Sequence, residues 1–506
     1  MSGKVYLIGA GPGDPELITL KAIYCLESVE CVIYDYLVNQ ELLTHCKKGT
    51  EKIYVGKKSG QDHITQKEIN DLVIQRAHAG KSVARLKGGD PFIFGRGGEE
   101  AEALAKKGIQ FEIVPGISAG SAGPTYAGIP LTHRNLSHTV AFVTAHQDPT
   151  QETSNIDWDQ LPQNYETLVF FMGTKNLPDV VKQLVRHGKS QRTPIALIRW
   201  GTYLTQQVIT GTLETIVEQA QNVSPPTIIV VGNVVKLRNQ LRWFDNRPLF
   251  GKKIVITRPH QQSVKLKREL RRLGADVISF PTVEVQRPGS WLALDRAIEK
   301  IRAYHWLIFT SVHGVKYFFD RYFSIVSDIR ELKGIKIAAI GPSTAKALQT
   351  FNLSINIIPN EYCAEGLLES FKEKTLKGMN ILMPRAKVAR ELLPEQLRKQ
   401  QANVDVVTVY ETILPDSASL HLNEIFHSNK PDMIVFTSSS TVKNLETILQ
   451  PWPQCLEGMA IACIGPITKK TAEERGLKVD VIPKKYITAS LLESITEFFT
   501  PQLLVK

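Results

Sequence analysis

The chain lacks any apolar run of about 18 residues, the length a helix needs to cross a bilayer, and its first residues, MSGKVYLIGAGP, carry no charged-then-apolar leader pattern. Cytoplasm is the compartment expected, without a membrane partner. Cysteine is scarce: there are six in 506 residues, none in C-x-x-C and none regularly spaced. That excludes a disulfide framework, points to a reducing compartment and leaves no structural zinc or other metal site expected. Basic tracts interleaved with stacking aromatics are also missing, so nucleic acid is not the partner expected. Acidic residues fall short of basic ones, 50 Asp and Glu against 61 Lys and Arg, and the net charge of +11 asks for an anionic partner. A small polycarboxylate meets that demand. The densest basic run, KLKRELRR at 265 to 272, reads as the solvated face of a helix.

A phosphate-binding glycine signature is absent as well. The opening stretch YLIGAGPGDPE, residues 6 to 16, ends a short apolar strand in alternating Gly9, Gly11 and Gly13, not in G-x-G-x-x-G running into a helix. Pro12 has no N–H to offer, and Asp14 would set negative charge beside a pyrophosphate. Two readings stand open for this loop alone: a non-phosphate ligand cradle, or a tight turn with Asp14 as N-cap and Pro15 as first helical residue.

What is present is a long alternation of short apolar strands and helical patterns, which predicts an α/β architecture with mainly parallel sheets. In the first half the strands read at VYLI, CVIYD, KSVARL, FEIV, VAFVT, TLVFFM, PIALI and TIIVV. Patterning lapses over KLRNQLRWFDNRPLFGKK, 236 to 253, and a break is placed at 246 to 251. The second half carries an internal repeat. FTS recurs at 309 to 311 and 436 to 438, IGPxT at 340 to 344 and 464 to 468, and ITRP at 256 to 259 is echoed by LMPR at 382 to 385. Three motifs recurring in one order predict two related α/β subdomains, with Thr and Ser at the carboxyl ends of strands where open sheets bind ligands.

In the first half, LKGGDPFIFGRGGEE (86 to 100), VPGISAG (114 to 120) and PLTHR (130 to 134) each follow a strand or lie just beyond one. GAGPGDPE paired with GGDPFIFGRGGEE, together with VIYD, VGKKSG and FFMG, resembles the uroporphyrinogen-III C-methyltransferases of the tetrapyrrole methylase family over about residues 3 to 245. The resemblance implies a fold of two subdomains, about 1 to 114 and 115 to 245, and a homodimer formed through this half. It implies S-adenosyl-L-methionine as methyl donor and S-adenosylhomocysteine as product. Its sulfonium and ammonium suit nearby carboxylates. Carried over by motif, the cofactor contacts are Pro12, Gly88, Gly89, Asp90, Ile93, Ser118, Ala119, Met172 and Gly201. The family usually has Thr-Ser-Ala or Thr-Ala where this chain has Ser118-Ala119. For catalysis the resemblance implies Asp35 as proton acceptor and Lys57 as proton donor. Arg96 and Glu99 are further candidates, Arg96 to hold a substrate carboxylate or assist deprotonation, with an Arg96 ion pair to Glu99 or Glu100 as the structural alternative. His133 in LTHR is a candidate substrate contact or a satisfied turn residue.

From VITRPHQQS through FPTVEV, FTSVHGV, AAIGPSTAKAL, ILMPRA, VYET, FTSSSTV and CIGPITKKTA, the order of motifs over 252 to 500 resembles uroporphyrinogen-III synthase. The resemblance implies two interleaved subdomains, about 284 to 410 and 252 to 283 plus 411 to 506, joined by a two-stranded ribbon formed from FPTVEV and VVTVYET. It implies cyclisation of hydroxymethylbilane to uroporphyrinogen III with inversion of the D ring, so that the product of the second half is the substrate of the first. The first half would then methylate C2 and C7 to give precorrin-2, on the branch toward sirohaem and cobalamin. Tyr410 is the candidate to assist hydroxyl departure. Ser311, Thr344, Ser438, Ser439 and Thr468, with Arg258 and Arg385, would hold carboxylates, each hydroxyl having helix capping as its structural alternative. Two rival functions stay open: an RNA methyltransferase of the same fold, and a methylase whose second half is an inactive tetrapyrrole-binding regulator.

Overall fold

The computed structural model describes residues 2–56, 64–145, 156–258, 260–282, 284–372, 374–413, 425–426 and 430–500. Two compact units emerge, one of Met1–Lys252 with Leu270–Asp276, the other of Lys253–Glu269 with Val277–Lys506. The segment 247 to 252, where the sequence pattern lapses, is itself packed: Leu249 N–H donates to Leu273 C=O at 2.8 Å and Asp276 N–H to Lys252 C=O at 2.8 Å.

The first unit opens with strands β1 (Val5–Gly9), β2 (Cys31–Tyr34), β3 (Glu51–Tyr54), β4 (Val83–Lys87) and β5 (Phe111–Val114). They form one sheet in the order β3-β2-β4-β1-β5, all parallel. Leu7, Ile8, Val32, Ile33 and Leu86 are fully buried, and each such side chain contributes about 1.5–3 kcal/mol. Glycine loops therefore leave the carboxyl ends of adjacent strands at one edge.

Strands β6 (Val140–Thr144), β7 (Thr167–Phe171), β8 (Pro194–Arg199), β9 (Gln207–Thr212) and β10 (Thr227–Val231) make a second sheet, β6-β7-β10-β8-β9. Here the expectation of parallel pairing is corrected: β6 and β7 are parallel, but β10 runs antiparallel to both its neighbours and β8 to β9. Only seven residues, Trp200 to Gln206, join β8 to β9, and a connection that short serves antiparallel neighbours, whereas a parallel crossover needs about a dozen residues or more.

The second unit contains β11 (Lys253–Ile256), β12 (Asp276–Ser279), β13 (Glu284–Gln286), β14 (Trp306–Phe309), β15 (Lys336–Ala339), β16 (Asn380–Ala386), β17 (Asn403–Ile413), β18 (Met433–Phe436) and β19 (Ala460–Cys463). Two sheets result, β12-β11-β18-β19 and β13-β17-β16-β14-β15. The repeat seen in sequence is structural: β17-β16-β14-β15 has the same order as β12-β11-β18-β19, with FTS on FTS, IGPxT on IGPxT and, one residue shifted from the motif match, Val255–Arg258 on Leu382–Arg385. β13 and β17 form the antiparallel ribbon, Glu284 opposite Ile413 and Gln286 opposite Glu411.

Candidate functional site

In the first unit the glycine loops hold one another. Gly11 and Gly89 exchange backbone hydrogen bonds, 3.2 Å from Gly11 N and 2.7 Å from Gly89 N, and Ala10 N–H donates to Lys87 C=O at 2.7 Å. A Cβ on Gly9 would stand 2.5 Å from Gly116 N, and one on Gly116 would stand 2.3 Å from Gly89 O, so no side chain fits at either. Gly11 and Gly89 also have φ of +78° and +70°, which glycine adopts without strain. GAGPGDPE, GGDP and VPGIS thus interlock into one backbone cradle.

Asp90 stitches the cradle. One carboxylate oxygen accepts from Phe92 N–H at 2.7 Å and the other from Gly116 N–H at 2.9 Å. Ser118 is the N-cap of the helix Ala119–Tyr126, its hydroxyl accepting from Gly120 N–H at 3.3 Å. The turn reading of the opening loop holds: Asp14 caps Glu16 N–H at 3.0 Å and Pro15 is the first helical residue. Asp14 further accepts from the Tyr126 hydroxyl at 3.0 Å, and its N–H donates to Thr202 Oγ1 at 3.0 Å. Burial and the Asp14 charge push the Tyr126 phenol up. Thr202 follows Gly201, so the loop after β8 meets Pro12–Asp14.

Met172 stands just past β7 with φ +56° and half its surface exposed. Phe94, next to Ile93, packs tilted against Phe171 beside Met172, ring centroids 4.9 Å apart. Phe94, Met172, Trp200 and Thr202, all with positive φ, lie on the loops that carry carried-over contacts. Backbone strain of this kind costs about 1–3 kcal/mol per residue and collects at functional sites.

Asp35, at the end of β2, receives the Arg85 guanidinium at 2.6 Å. Arg85 and Lys87 sit on one face of β4, 1% and 4% exposed, and share Glu100, with Arg85 Nε at 3.2 Å and Lys87 Nζ at 2.6 Å from the same oxygen. Gln66 donates to that oxygen at 3.0 Å, while the other Glu100 oxygen has no hydrogen-bond partner among the described residues. Burial, then the Arg85 charge, hold the Lys87 ammonium below its usual range. Sequence reading missed Arg85 and Lys87. The available signal was two cations two residues apart in the otherwise apolar VARLK, because buried charge requires a partner.

Arg96 makes a two-pronged ion pair with Glu99, 2.9 and 2.7 Å, and both are largely exposed. The pair raises the guanidinium and lowers the carboxyl. Among the described residues His133 engages its own turn, with N–H to Ser137 C=O at 2.9 Å and Nδ1 accepting from Asn135 N–H at 3.3 Å. Lys57 lies outside the described residues.

In the second unit Ser311 caps the helix Val312–Ile325, accepting from Gly314 N–H at 2.9 Å, and its oxygen is 3.1 Å from the Tyr410 hydroxyl. The buried Tyr410 ring on β17 stacks with Tyr317 at 6.1 Å and tilts against His313 at 5.7 Å. Burial lowers the proton affinity of His313. Ser438 occupies the matching cap of Ser439–Ile448 without a side-chain capping bond, and its hydroxyl pairs with Ser440 at 2.9 Å. Ser439 bonds to Ile467 C=O at 3.3 Å and to Thr471 at 2.9 Å. Thr344 and Thr468 are not caps; they are buried in the first turns of Pro342–Gln349 and Pro466–Glu473, behind N-cap glycines. Arg385 is buried on β16, donating to Arg390 C=O at 2.9 Å and ion-paired with Glu391. Arg258 is half-buried, and burial lowers its pKa.

Residues 4–217 match the family of tetrapyrrole (corrin/porphyrin) methylases and residues 264–493 that of uroporphyrinogen-III synthase HemD. The class is therefore a methylase joined to a synthase of tetrapyrrole biosynthesis. The porphyrin biosynthesis protein HemD of Ruminiclostridium josui is 35% identical over 497 residues, 98% of each chain. The uroporphyrinogen-III C-methyltransferase of Bacillus subtilis strain 168 is 38% identical over 366 residues, 69% of this chain and 75% of that protein. A crystal structure of uroporphyrin-III C-methyltransferase from Thermus thermophilus complexed with S-adenosylhomocysteine is 38% identical, covering 46% of this chain and all of that one, at a TM-score of 0.41. This chain belongs to the family of the Ruminiclostridium HemD protein.

Proposed function

We propose that the chain carries out two successive steps of tetrapyrrole biosynthesis. Residues 252–506 cyclise hydroxymethylbilane to uroporphyrinogen III with inversion of the D ring, and residues 1–245 methylate that product at C2 and C7 to give precorrin-2. The observation that carries the reading is the alignment of the whole chain, over 98% of its length, with a relative named for porphyrin biosynthesis. S-adenosyl-L-methionine supplies an electrophilic methyl on sulfur, which leaves as the carbon–carbon bond forms. The interlocked glycines fit such a ligand, since they bare backbone groups without Cβ atoms and place carboxylates, not phosphate-binding groups, near a cation.

Asp35 then accepts the proton lost by the alkylated ring, with Arg85 fixing the carboxylate at the end of β2. In the second unit the Tyr410 hydroxyl gives its proton to the departing hydroxyl, which leaves as water, while paired hydroxyl and guanidinium groups hold one conformation of the chain for ring closure. A homodimer through the first half, cytoplasmic location and the absence of a nucleic-acid partner belong to the same reading.

Two assays on the full chain test it. Hydroxymethylbilane alone gives uroporphyrinogen III, and uroporphyrinogen III with methyl-labelled S-adenosylmethionine gains two labelled methyls. Only isomer I in the first assay supports the regulatory reading of the second half, and label on RNA but not on tetrapyrrole supports the RNA reading.

A further inference from the structure

The repeat of the second unit extends beyond the motifs used above. IIPNEYCAEGLLES at 357–370 is answered 124 residues later by VIPKKYITASLLES at 481–494, so that Ile358, Pro359, Tyr362 and Leu367–Ser370 recur as Ile482, Pro483, Tyr486 and Leu491–Ser494. The backbone agrees. Ile357 bridges Ala338 and Val481 bridges Ala462, while Asn356 accepts from Ile337 N–H at 2.8 Å and Asp480 from Ile461 N–H at 2.9 Å.

The recurring prolines and Leu367 with Leu491 have a packing reason, whereas Ile358 and Ile482 are 44% and 37% exposed. Pro359, Pro483, Leu367 and Leu491 are buried, and Glu369 and Glu493 face solvent on helices. The tyrosines are more open still, Tyr362 64% exposed and Tyr486 60%. Each lies against the N-cap glycine of the IGPxT loop in its own repeat. A Cβ on Gly341 would stand 3.2 Å from Tyr362 Cβ, and one on Gly465 would stand 3.4 Å from Tyr486 Cγ. Both glycines are in extended backbone that any residue adopts, φ −176° and −168°, so neither angle demands glycine; at Gly341 the Tyr362 side chain crowds a Cβ, and at Gly465 a Cβ would rest in ordinary contact with Tyr486. Neither helix start has a side-chain cap, which leaves first-turn N–H groups for another acceptor. The hydroxyls of Thr344 and Thr468, 4% and 5% exposed, make no hydrogen bond among the described residues.

We propose that Tyr362 and Tyr486 are a repeat-related pair of ligand contacts, each laying its ring against a pyrrole and its hydroxyl on a carboxylate arm of one linear tetrapyrrole. The inference rests on the synthase reading of the second unit. A ligand built of similar pyrrole units, each with acidic arms, suits two copies of one contact: an aromatic face for the ring, and uncapped amides with an unused threonine hydroxyl beside it for the arm. Rings already seated on glycine lose little freedom when a ligand arrives.

Isomer III formation from hydroxymethylbilane by the full chain tests the pair. Tyr362→Ala and Tyr486→Ala raise KM about tenfold each with little change in kcat, the pattern of lost uniform binding, and the Phe variants raise it about threefold. Gly341→Ala, which shifts the Tyr362 ring and removes nothing, raises KM in the same direction. Thermal melting identifies any Ala variant that does not fold, and the Phe and glycine variants then decide. Wild-type KM in every folded variant overturns the tyrosine pair while leaving the synthase reading standing. A wild-type chain that forms no isomer III overturns both.

Discussion

The candidate site of the first unit is organised by buried ions, that of the second by neutral hydroxyls. Asp35, Arg85, Glu100 and Lys87 form a chain of opposite charges at the end of a parallel sheet, beside a cradle whose glycines leave no room for side chains. In the second unit Ser311 and Tyr410 meet at 3.1 Å, and Ser311, Thr344, Arg385 and Tyr362 each have a counterpart in Ser438, Thr468, Arg258 and Tyr486. Tyr410 has none, since in sequence the repeat aligns it with valine, Val283, which lies outside the described residues. The difference matches the two chemistries proposed: methyl transfer asks for one aligned group and one fixed proton acceptor, whereas ring closure asks for many weak contacts that enforce a conformation.

That contrast is open to test, beginning with the largest effect. Asp35→Asn lowers methyl transfer about 10²–10⁴-fold with S-adenosylmethionine affinity unchanged by calorimetry; near wild-type turnover removes Asp35 from the reaction. Glu100→Gln leaves Arg85 and Lys87 buried without their shared anion and lowers the unfolding free energy of the first unit by about 3–5 kcal/mol in urea. A loss below about 1 kcal/mol there means the network is not what holds Arg85. In the second unit Tyr410→Phe slows isomer III formation about 10²-fold, against about tenfold for Thr468→Ala, because a proton donor is unique and a carboxylate contact is one of several. The reverse ranking contradicts the account. Asp90→Ala weakens S-adenosylmethionine binding by about 1.5–3 kcal/mol, since both carboxylate oxygens tie cradle loops together; calorimetry with unchanged affinity in a folded variant separates cradle from ligand.

The smallest effect is on pH dependence. Burial lowers the folded pKa of His313, so below its ordinary value of about 6.5 the unfolded chain takes up a proton that the folded one does not. Stability of the second unit therefore rises with pH through that window and is lost as pH falls. His313→Asn flattens this slope in denaturation curves at pH 5 to 7; an unchanged slope assigns it to other groups.

The strands that sequence reading named are largely central ones, where continuous apolar runs such as TLVFF and PIALI leave little ambiguity. In the first unit it missed β3 and β9, both at sheet edges and only half-buried, EKIY and QVITGT, where polar residues dilute the pattern. Antiparallel pairing in the second sheet was illegible because direction is set by connections, not by strand composition. Motifs located the glycine loops because glycine is demanded there by close backbone approach. Arg85 and Lys87 were missed, and Glu100 was offered to Arg96 instead, since their partnership joins β4 to a helix and no local spacing encodes it. Tyr362 and Tyr486 were legible in principle, at the same 124-residue offset as IGPxT, but only their exposure separates them from core positions.

One chain is proposed to perform two consecutive reactions. Incubating the full protein with hydroxymethylbilane and S-adenosylmethionine together, and analysing the products by mass and isomer, tests it most directly. The expected result is a dimethylated type III product, formed without added uroporphyrinogen III. Unmethylated product, or methylated product only when uroporphyrinogen III is supplied, would contradict it.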